Sequence, residues 1–291
     1  MVDFVPAERA NPIRYPSTAN LMIDSADRTT NLSAWDFQIA KRQSILNGFF
    51  TRIATTEVVL EWCEENVKST DLSNNTITFD ISGISPNTHA GSHTISLISG
   101  FYTAAEAYDS IVASLNDISG TTGCVFTVAA TPFGHALECT GGFFEVNNSR
   151  LATQLDLDNA VSILVGAGVT GVPLNCPDLR PYRYIDFVAP QLTYAQGLKD
   201  ATTNTTDRDV LCRWYFSYDE QNILDKYGFP ILMGYTRFCL RRLFNPPKQI
   251  KYDSNLPLGN LSFQVFDEEG NLLPASSAKT NWLMTLQVSE V

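Results

Sequence analysis

Close to its end the chain sets Trp282, Met284, Leu286 and Val288 on one side of an alternation, with Leu283, Thr285 and Gln287 on the other. A period of two sends successive side chains to opposite faces, so this stretch predicts a half-buried β-strand rather than a helix. The same alternation recurs with Leu261, Phe263 and Val265 against Ser262 and Gln264, and with Trp35, Phe37 and Ile39 against Asp36 and Gln38. Further extended stretches are expected at 21–23, 49–60, 184–189, 210–218 and 236–243. Within 49–60 the alternation sets Arg52, Ala54, Thr56, Val58 and Leu60 against Ile53, Thr55, Glu57 and Val59. Eight antiparallel strands joined by long crossing connections suit a jelly-roll sandwich. The expected class is therefore mainly all-β: an eight-stranded antiparallel jelly-roll sandwich with an inserted α+β domain.

Charge locates the insert. Of the net −11, residues 1–67 hold −3, residues 68–179 hold −8, and residues 180–291 are neutral. A composition shift of this kind marks a separate unit. The acidic stretch predicts strands at 76–81, 93–98, 124–129, 136–140 and 143–146. It also holds the one convincing helix, which begins at the capping box Thr103-x-x-Glu106. Its apolar face is Tyr108, Ile111, Val112, Leu115 and Ile118, and Gly120 marks its stop. A brief helix is expected near Arg150, and Pro173, Pro177 and Pro181 read as a closing linker. Pro6, Pro12 and Pro16 make the opening an extended arm. The expected division is an arm at 1–20, a discontinuous base at 21–67 and 183–291, and an inserted outer domain at 68–182.

Several functions are argued against. A net charge of −11 disfavours a general or sequence-specific nucleic-acid binder, which needs excess Lys and Arg. No apolar run approaches the ~20 residues of a membrane helix, and the start reads as lacking a secretory signal. The six cysteines form no CxxC pair and read as buried free thiols. Gly166-x-Gly168-x-x-Gly171 matches the dinucleotide fingerprint in letters only. Val172-Pro173 follows where a phosphate-binding helix should start, so a flexible loop is expected there. His89 and His93 are four apart, but Pro86 and Gly91 argue against the helix that would pair them on a metal. Glu61, Glu64 and Glu65 read as a solvated strand end, and Asp267 to Asn271 as a hairpin turn. No catalytic, cofactor-binding or metal-ligating residues are assigned, and the chain is not expected to be an enzyme.

One stretch departs from the acidic background. Arg237, Arg241, Arg242, Lys248 and Lys251 lie within fifteen residues that contain no acid. On an edge strand such charges block aggregation. They also suit an electrostatic interface with a neighbouring subunit or with packaged nucleic acid. Arg241 and Arg242 are adjacent, so on a strand they point to opposite faces.

The opening arm with Asp24-Ser25-Ala26-Asp27-Arg28 and Trp35-x-Phe37-x-Ile39 resembles the start of penton (vertex) proteins of virophages and Polinton-like viruses. So do Ile98-Ser99-Gly100-Phe101-Tyr102-Thr103 leading into a helix that ends at Leu115-Asn116, and Leu-Pro-Leu-Gly-Asn at 256–260. The resemblance implies a structural capsid protein with a jelly-roll base and an inserted outer domain. It implies homopentamers at icosahedral five-fold vertices of the virion, contact with major capsid protein capsomers, and synthesis in the host cytoplasm. A host surface is the expected partner of the insert. It implies no active-site residues and no cofactor. The alternative is a jelly-roll attachment protein that binds a receptor or glycan.

Overall fold

The structure is a computed structural model. It describes residues 18–29, 33–40, 51–69, 73–83, 91–119, 124–132, 134–166, 169–175, 177–193, 210–216, 223–232, 234–251 and 259–289. Most of the expected arm, His89, Gly120, Cys176 and residues 256–258 lie outside these.

The chain enters through β1 (Thr18–Asp24), β2 (Asp36–Ala40) and β3 (Arg52–Trp62). It continues through β4 (Thr76–Gly83), β5 (Gly91–Ser96), α1 (Ala104–Ser119), β6 (Val125–Thr131), β7 (Gly134–Thr140), β8 (Gly142–Val146), α2 (Arg150–Gln154), β9 (Ile163–Gly166) and β10 (Val169–Leu174). It returns through β11 (Tyr184–Val188), β12 (Val210–Tyr215), β13 (Phe238–Leu243), β14 (Gln249–Lys251), β15 (Asn260–Phe266) and β16 (Asn281–Ser289).

The first and last groups form two antiparallel sheets. One runs β1-β16-β3-β13, with β14 also on β3; the other runs β12-β11-β15-β2. β13 lies against residues 57–62 of β3 and β14 against residues 52–54, so the pair forms one interrupted ribbon. Counting that ribbon once and passing over β4 to β10, the sheets read 1-8-3-6 and 5-4-7-2. That is the jelly-roll order, two interlocked Greek keys. The described residues supply nine strands here, because β14 adds one to the expected set. Its three residues follow Pro246 and Pro247, which have no amide to give a ladder, and are too short to show a period.

Aromatic residues fill the space between the sheets. All four tryptophans are there, each at most 2% exposed. Trp35 meets Trp62 at 5.6 Å between ring centres, Trp62 meets Phe216 at 4.7 Å, and Trp282 meets Phe187 at 5.1 Å. Rings of this size bury the most apolar area per residue, so this cluster dominates the energetics of the sandwich. The expected alternation holds along β15 and β16, where every second residue is buried.

Along β3 it holds in two halves that are out of phase. Ile53 and Thr55 are buried in the first half, where the small Ala54 between them is buried too, and Val58, Leu60 and Trp62 in the second. The β16 register shifts between Thr285 and Leu286, which face Glu57 and Thr55, so Thr56 is an extra residue. A bulge of this kind reverses which face later residues occupy. The single-phase expectation for 49–60 is corrected accordingly. The break between β13 and β14 falls at the same place, and Phe244 donates its amide to the Thr56 carbonyl.

Elements β4 to β10 all fall in the single connection from β3 to β11. They make a three-stranded sheet, β5-β4-β8, and a four-stranded sheet, β6-β7-β10-β9. The capping box forms as expected: Thr103 donates its amide to Glu106 Oε2 at 2.8 Å, and Glu106 donates its amide to Thr103 Oγ1 at 3.3 Å. Tyr108, Ile111 and Leu115 of α1 are buried against Phe79, Phe126 and Phe144.

Gly166 ends β9 and Gly171 lies in β10, an antiparallel pair, while residues 167 and 168 lie outside the described residues. One expectation changes here. The proline-rich close is not a loose linker, since Pro173 lies within β10 and Leu174 and Leu179 are buried with the α1 face.

Candidate assembly surface

β13 and β14 form one edge of the five-stranded sheet, and the basic stretch runs along them. Its five side chains take different local partners. Arg241 points outward and ion-pairs with Glu57 across the ladder. Arg242 points the other way, half-buried, with its guanidinium 4.8 Å from the ring centre of Trp214 on β12. The opposite-face expectation for this adjacent pair thus holds. Lys248 donates to the carbonyl of Val210, the first residue of β12, at 3.1 Å. Arg242 and Lys248 therefore bridge the two sheets where their edges meet. A cation on an indole contributes roughly 0.5–2 kcal/mol, depending on how far it is desolvated.

Arg237 is exposed, with its guanidinium 5.4 Å from the ring centre of Phe101, just ahead of α1. Lys251, also exposed, stands opposite Arg52 at the far end of β3. The stretch is thus spread along the edge. Arg241 and Lys251 face solvent from the sheet, Arg237 reaches toward the inserted elements, and Arg242 and Lys248 hold the sandwich closed.

Sequence reasoning missed two carboxylates that tie the molecule together. Glu64, expected as a solvated strand end, is buried at 6% exposure. It accepts from the Ser277 amide at 2.6 Å, Thr280 Oγ1 at 2.5 Å and Lys68 Nζ at 3.2 Å. It fastens the exit of β3 to the turn before β16. The letters Glu61, Glu64 and Glu65 do not reveal this, because Ser277 and Thr280 lie more than two hundred residues away.

Asp225, in the connection from β12 to β13, accepts from the Tyr227 and Phe229 amides through Oδ1, at 2.9 and 3.0 Å. Through Oδ2 it accepts the Ala105 amide of α1 at 3.0 Å. Beside it, Asp109 of α1 pairs with Lys226 and accepts from Tyr227 Oη at 2.6 Å. Phe229, Leu232 and Tyr235 are buried in the same apolar cluster as α1, and Tyr235 Oη accepts the Leu179 amide at 2.8 Å. Residues 223–235 are thus a strap from the sandwich that completes the core of the inserted elements. The sequence analysis assigned nothing to these residues, which include Tyr227, Phe229 and Tyr235.

His93 lies on β5, a strand, and His135 on β7, while His89 lies outside the described residues. Among the described residues no cluster of three or more His, Cys, Asp or Glu side chains could hold a metal ion. No described helix is long and apolar enough to cross a membrane.

These features define a class: a jelly-roll sandwich whose β3–β11 connection carries a strapped-on α+β insert. No protein-family model and no curated protein matches the chain. Among solved structures it is similar to the mavirus penton protein, at a TM-score of 0.53 and 14% identity over 96% of this chain and 100% of that one. It is also similar to a chain of the Sputnik virophage structure, at a TM-score of 0.48 and 10% identity over 94% and 98%. The fold is that of the mavirus penton protein.

Proposed function

We propose that this chain is a structural capsid protein, the penton that forms homopentamers at the five-fold vertices of an icosahedral virion. The observation that carries the reading is the extent of the fold likeness. It spans 96% of this chain, so sandwich and insert both fall within it. In this reading residues 21–67 and 183–291 are the base, and residues 68–182 are the outer insert, which turns toward a host surface. The base contacts its own neighbours and the capsomers of the major capsid protein. The protein is made in the host cytoplasm and has no enzymatic role.

A closed ring needs a heterologous interface, in which one patch meets a different patch on the next copy. Arg237, Arg241, Arg242, Lys248 and Lys251 supply one such patch through the β13–β14 edge. Arg241, Lys251 and Arg237 would meet the neighbour, while Arg242 and Lys248 would hold the edge in shape. Cations there favour docking against acidic surface, which a chain of net −11 has in excess, and penalise the reversed orientation.

The test is native mass spectrometry of the purified protein, together with its location in a virion map. A species of five times the chain mass and density at the vertices are expected. A protein that stays monomeric at all concentrations and is absent from the vertices would overturn the reading.

A further inference from the structure

The outward face of the β5-β4-β8 sheet holds an open bowl of about 340 Å³, lined by Asp80, Ser82, Ser92, Phe143, Glu145 and Val161 among others. Strand pairing puts these groups in rows. Ser92, Asp80 and Glu145 stand side by side across the three strands, and Val161 extends the row through a bridge to Glu145. In the neighbouring row Ser82 faces Phe143. The bowl thus has hydroxyls toward β5, two carboxylates in the middle, and an apolar wall beyond them. Its volume falls within the range of small-molecule sites.

Two properties of the lining call for a ligand. Asp80 and Glu145 are directly opposed on adjacent strands, where like charges repel. The inner face already buries Ile77, Phe79, Ile81 and Ile95. Ser92 and then Asn147 hydrogen-bond to the Asp80 carboxylate and hold it below its usual range, which keeps it a charged acceptor. Phe143 and Val161 are 40% and 57% exposed, apolar surface left in water beside those acceptors.

We propose that this bowl binds an uncharged carbohydrate. A pyranose offers hydroxyls that both donate and accept, and a ring face of C–H groups. The hydroxyls satisfy Asp80 and Glu145 as acceptors and the two serines as donors or acceptors. The C–H face covers Phe143 and Val161, removing apolar surface from water. Sialylated, sulfated and phosphorylated ligands are repelled by two carboxylates in a stretch of net −8 whose only cations are Lys68 and Arg150. A lysine side chain has donors alone, so it answers the carboxylates but leaves the Ser82 donor and Phe143 unused. The inference concerns the insert of a single chain and holds apart from ring assembly.

The test presents the full-length protein to an array of neutral oligosaccharides built from hexoses and N-acetylhexosamines, with sialylated and sulfated members and oligolysine alongside. The best-retained neutral sugar is then titrated by calorimetry into wild type, Phe143→Ala, Asp80→Asn and Glu145→Gln. Neutral sugars are expected to be retained and anionic ones not. Each substitution should weaken binding by about tenfold or more, with circular dichroism unchanged. Three alternate substitutions keep the test open if one of them disturbs the sheet. Retention of no neutral sugar, retention of anionic sugars or oligolysine instead, or affinities indifferent to all three substitutions would overturn the proposal. Because the readout is per chain, a failure to form rings leaves it unaffected.

Discussion

Asp225 Oδ2 receives the amide of Ala105 at 3.0 Å, so a carboxylate from the sandwich side of the chain sits on the first turn of α1. That turn already has Thr103 and Glu106 closing its own box. The first four amides of a helix lack internal partners and carry partial positive charge, so an extra carboxylate stabilises them. Here it also joins two parts of the molecule that are over a hundred residues apart in sequence. Asp225→Ala should lower stability by about 1–3 kcal/mol, since three amides lose an ionised acceptor. Urea denaturation gives the magnitude. Limited proteolysis should show faster cleavage between residues 223 and 235 than in wild type.

Removal of residues 68–182 tests the proposed division. Joining Val67 to Arg183 through a short Gly/Ser linker leaves every strand of the sandwich in place. It also uncovers Phe229, Leu232 and Tyr235, whose burial is completed by the insert. The shortened chain should melt cooperatively with β-type circular dichroism but bind a hydrophobic dye. Replacing those three residues by serine should abolish the dye binding. Loss of cooperative melting in both versions would count against the boundary.

Glu64 makes a separate prediction. Alanine at this position strands Thr280 Oγ1, the Ser277 amide and Lys68 at a site only 6% exposed. The expected loss is roughly 3 kcal/mol in chemical denaturation, from breaking a buried charged network by removing one partner. Glu64→Gln should recover part of it, because an amide oxygen still accepts two of the three bonds.

The thiols should divide by burial. Cys239 is exposed, while Cys124, Cys139 and Cys212 are buried. Burial, with Cys124 as a neighbour, pushes the Cys139 thiol up to about 12, and burial pushes Cys212 higher still. Native protein at pH 8 should label quickly at Cys239 and slowly at Cys139 and Cys212. Unreduced mass spectrometry should show six free thiols. Because both buried thiols keep their protons in the folded state, the unfolded chain ionises first. Stability from this source is full below pH 9.0 and falls as pH rises past it, which thermal melts from pH 8 to 10 will read.

Along the basic edge, assembly and stability should separate. Reversing Arg237, Arg241, Lys248 and Lys251 together should reduce ring formation in analytical ultracentrifugation and incorporation in a capsid co-assembly assay. The effect on melting should be smaller, since all four are exposed and paired weakly or at the rim. Arg242→Ala should do the reverse, lowering the melting temperature through lost contact with Trp214. Unchanged assembly in the fourfold reversal would remove the edge from the proposed interface.

What the sequence revealed followed from local physics. Trp282, Met284, Leu286 and Val288 announced their strand because one face is buried and the other is not. Thr103 and Glu106 announced α1 because a capping box acts within four residues. Thr56 hid its bulge, since an extra residue has no letter of its own and shows only against the register of β16. Glu64 and Asp225 were unreadable for another reason: the bonds that tie the molecule together reach Ser277, Thr280 and Ala105, each over a hundred residues away. The basic edge was visible as a cluster, but its division into sheet-closing and solvent-facing side chains required Trp214 and Val210 to be placed beside it.

The strap has a mechanical consequence. A body joined to its support only where the chain enters and leaves can rotate about the line between those two crossings. A third tie placed off that line removes this freedom. Asp225, Lys226 and Tyr227 form such a tie on α1, and Phe229 and Tyr235 anchor its root. A sideways load on the insert therefore passes into the connection between β12 and β13 instead of being absorbed by bending at residue 67. That connection ends at the start of the basic edge, so torque applied at the tip of the molecule is delivered to the side proposed to face a neighbouring copy.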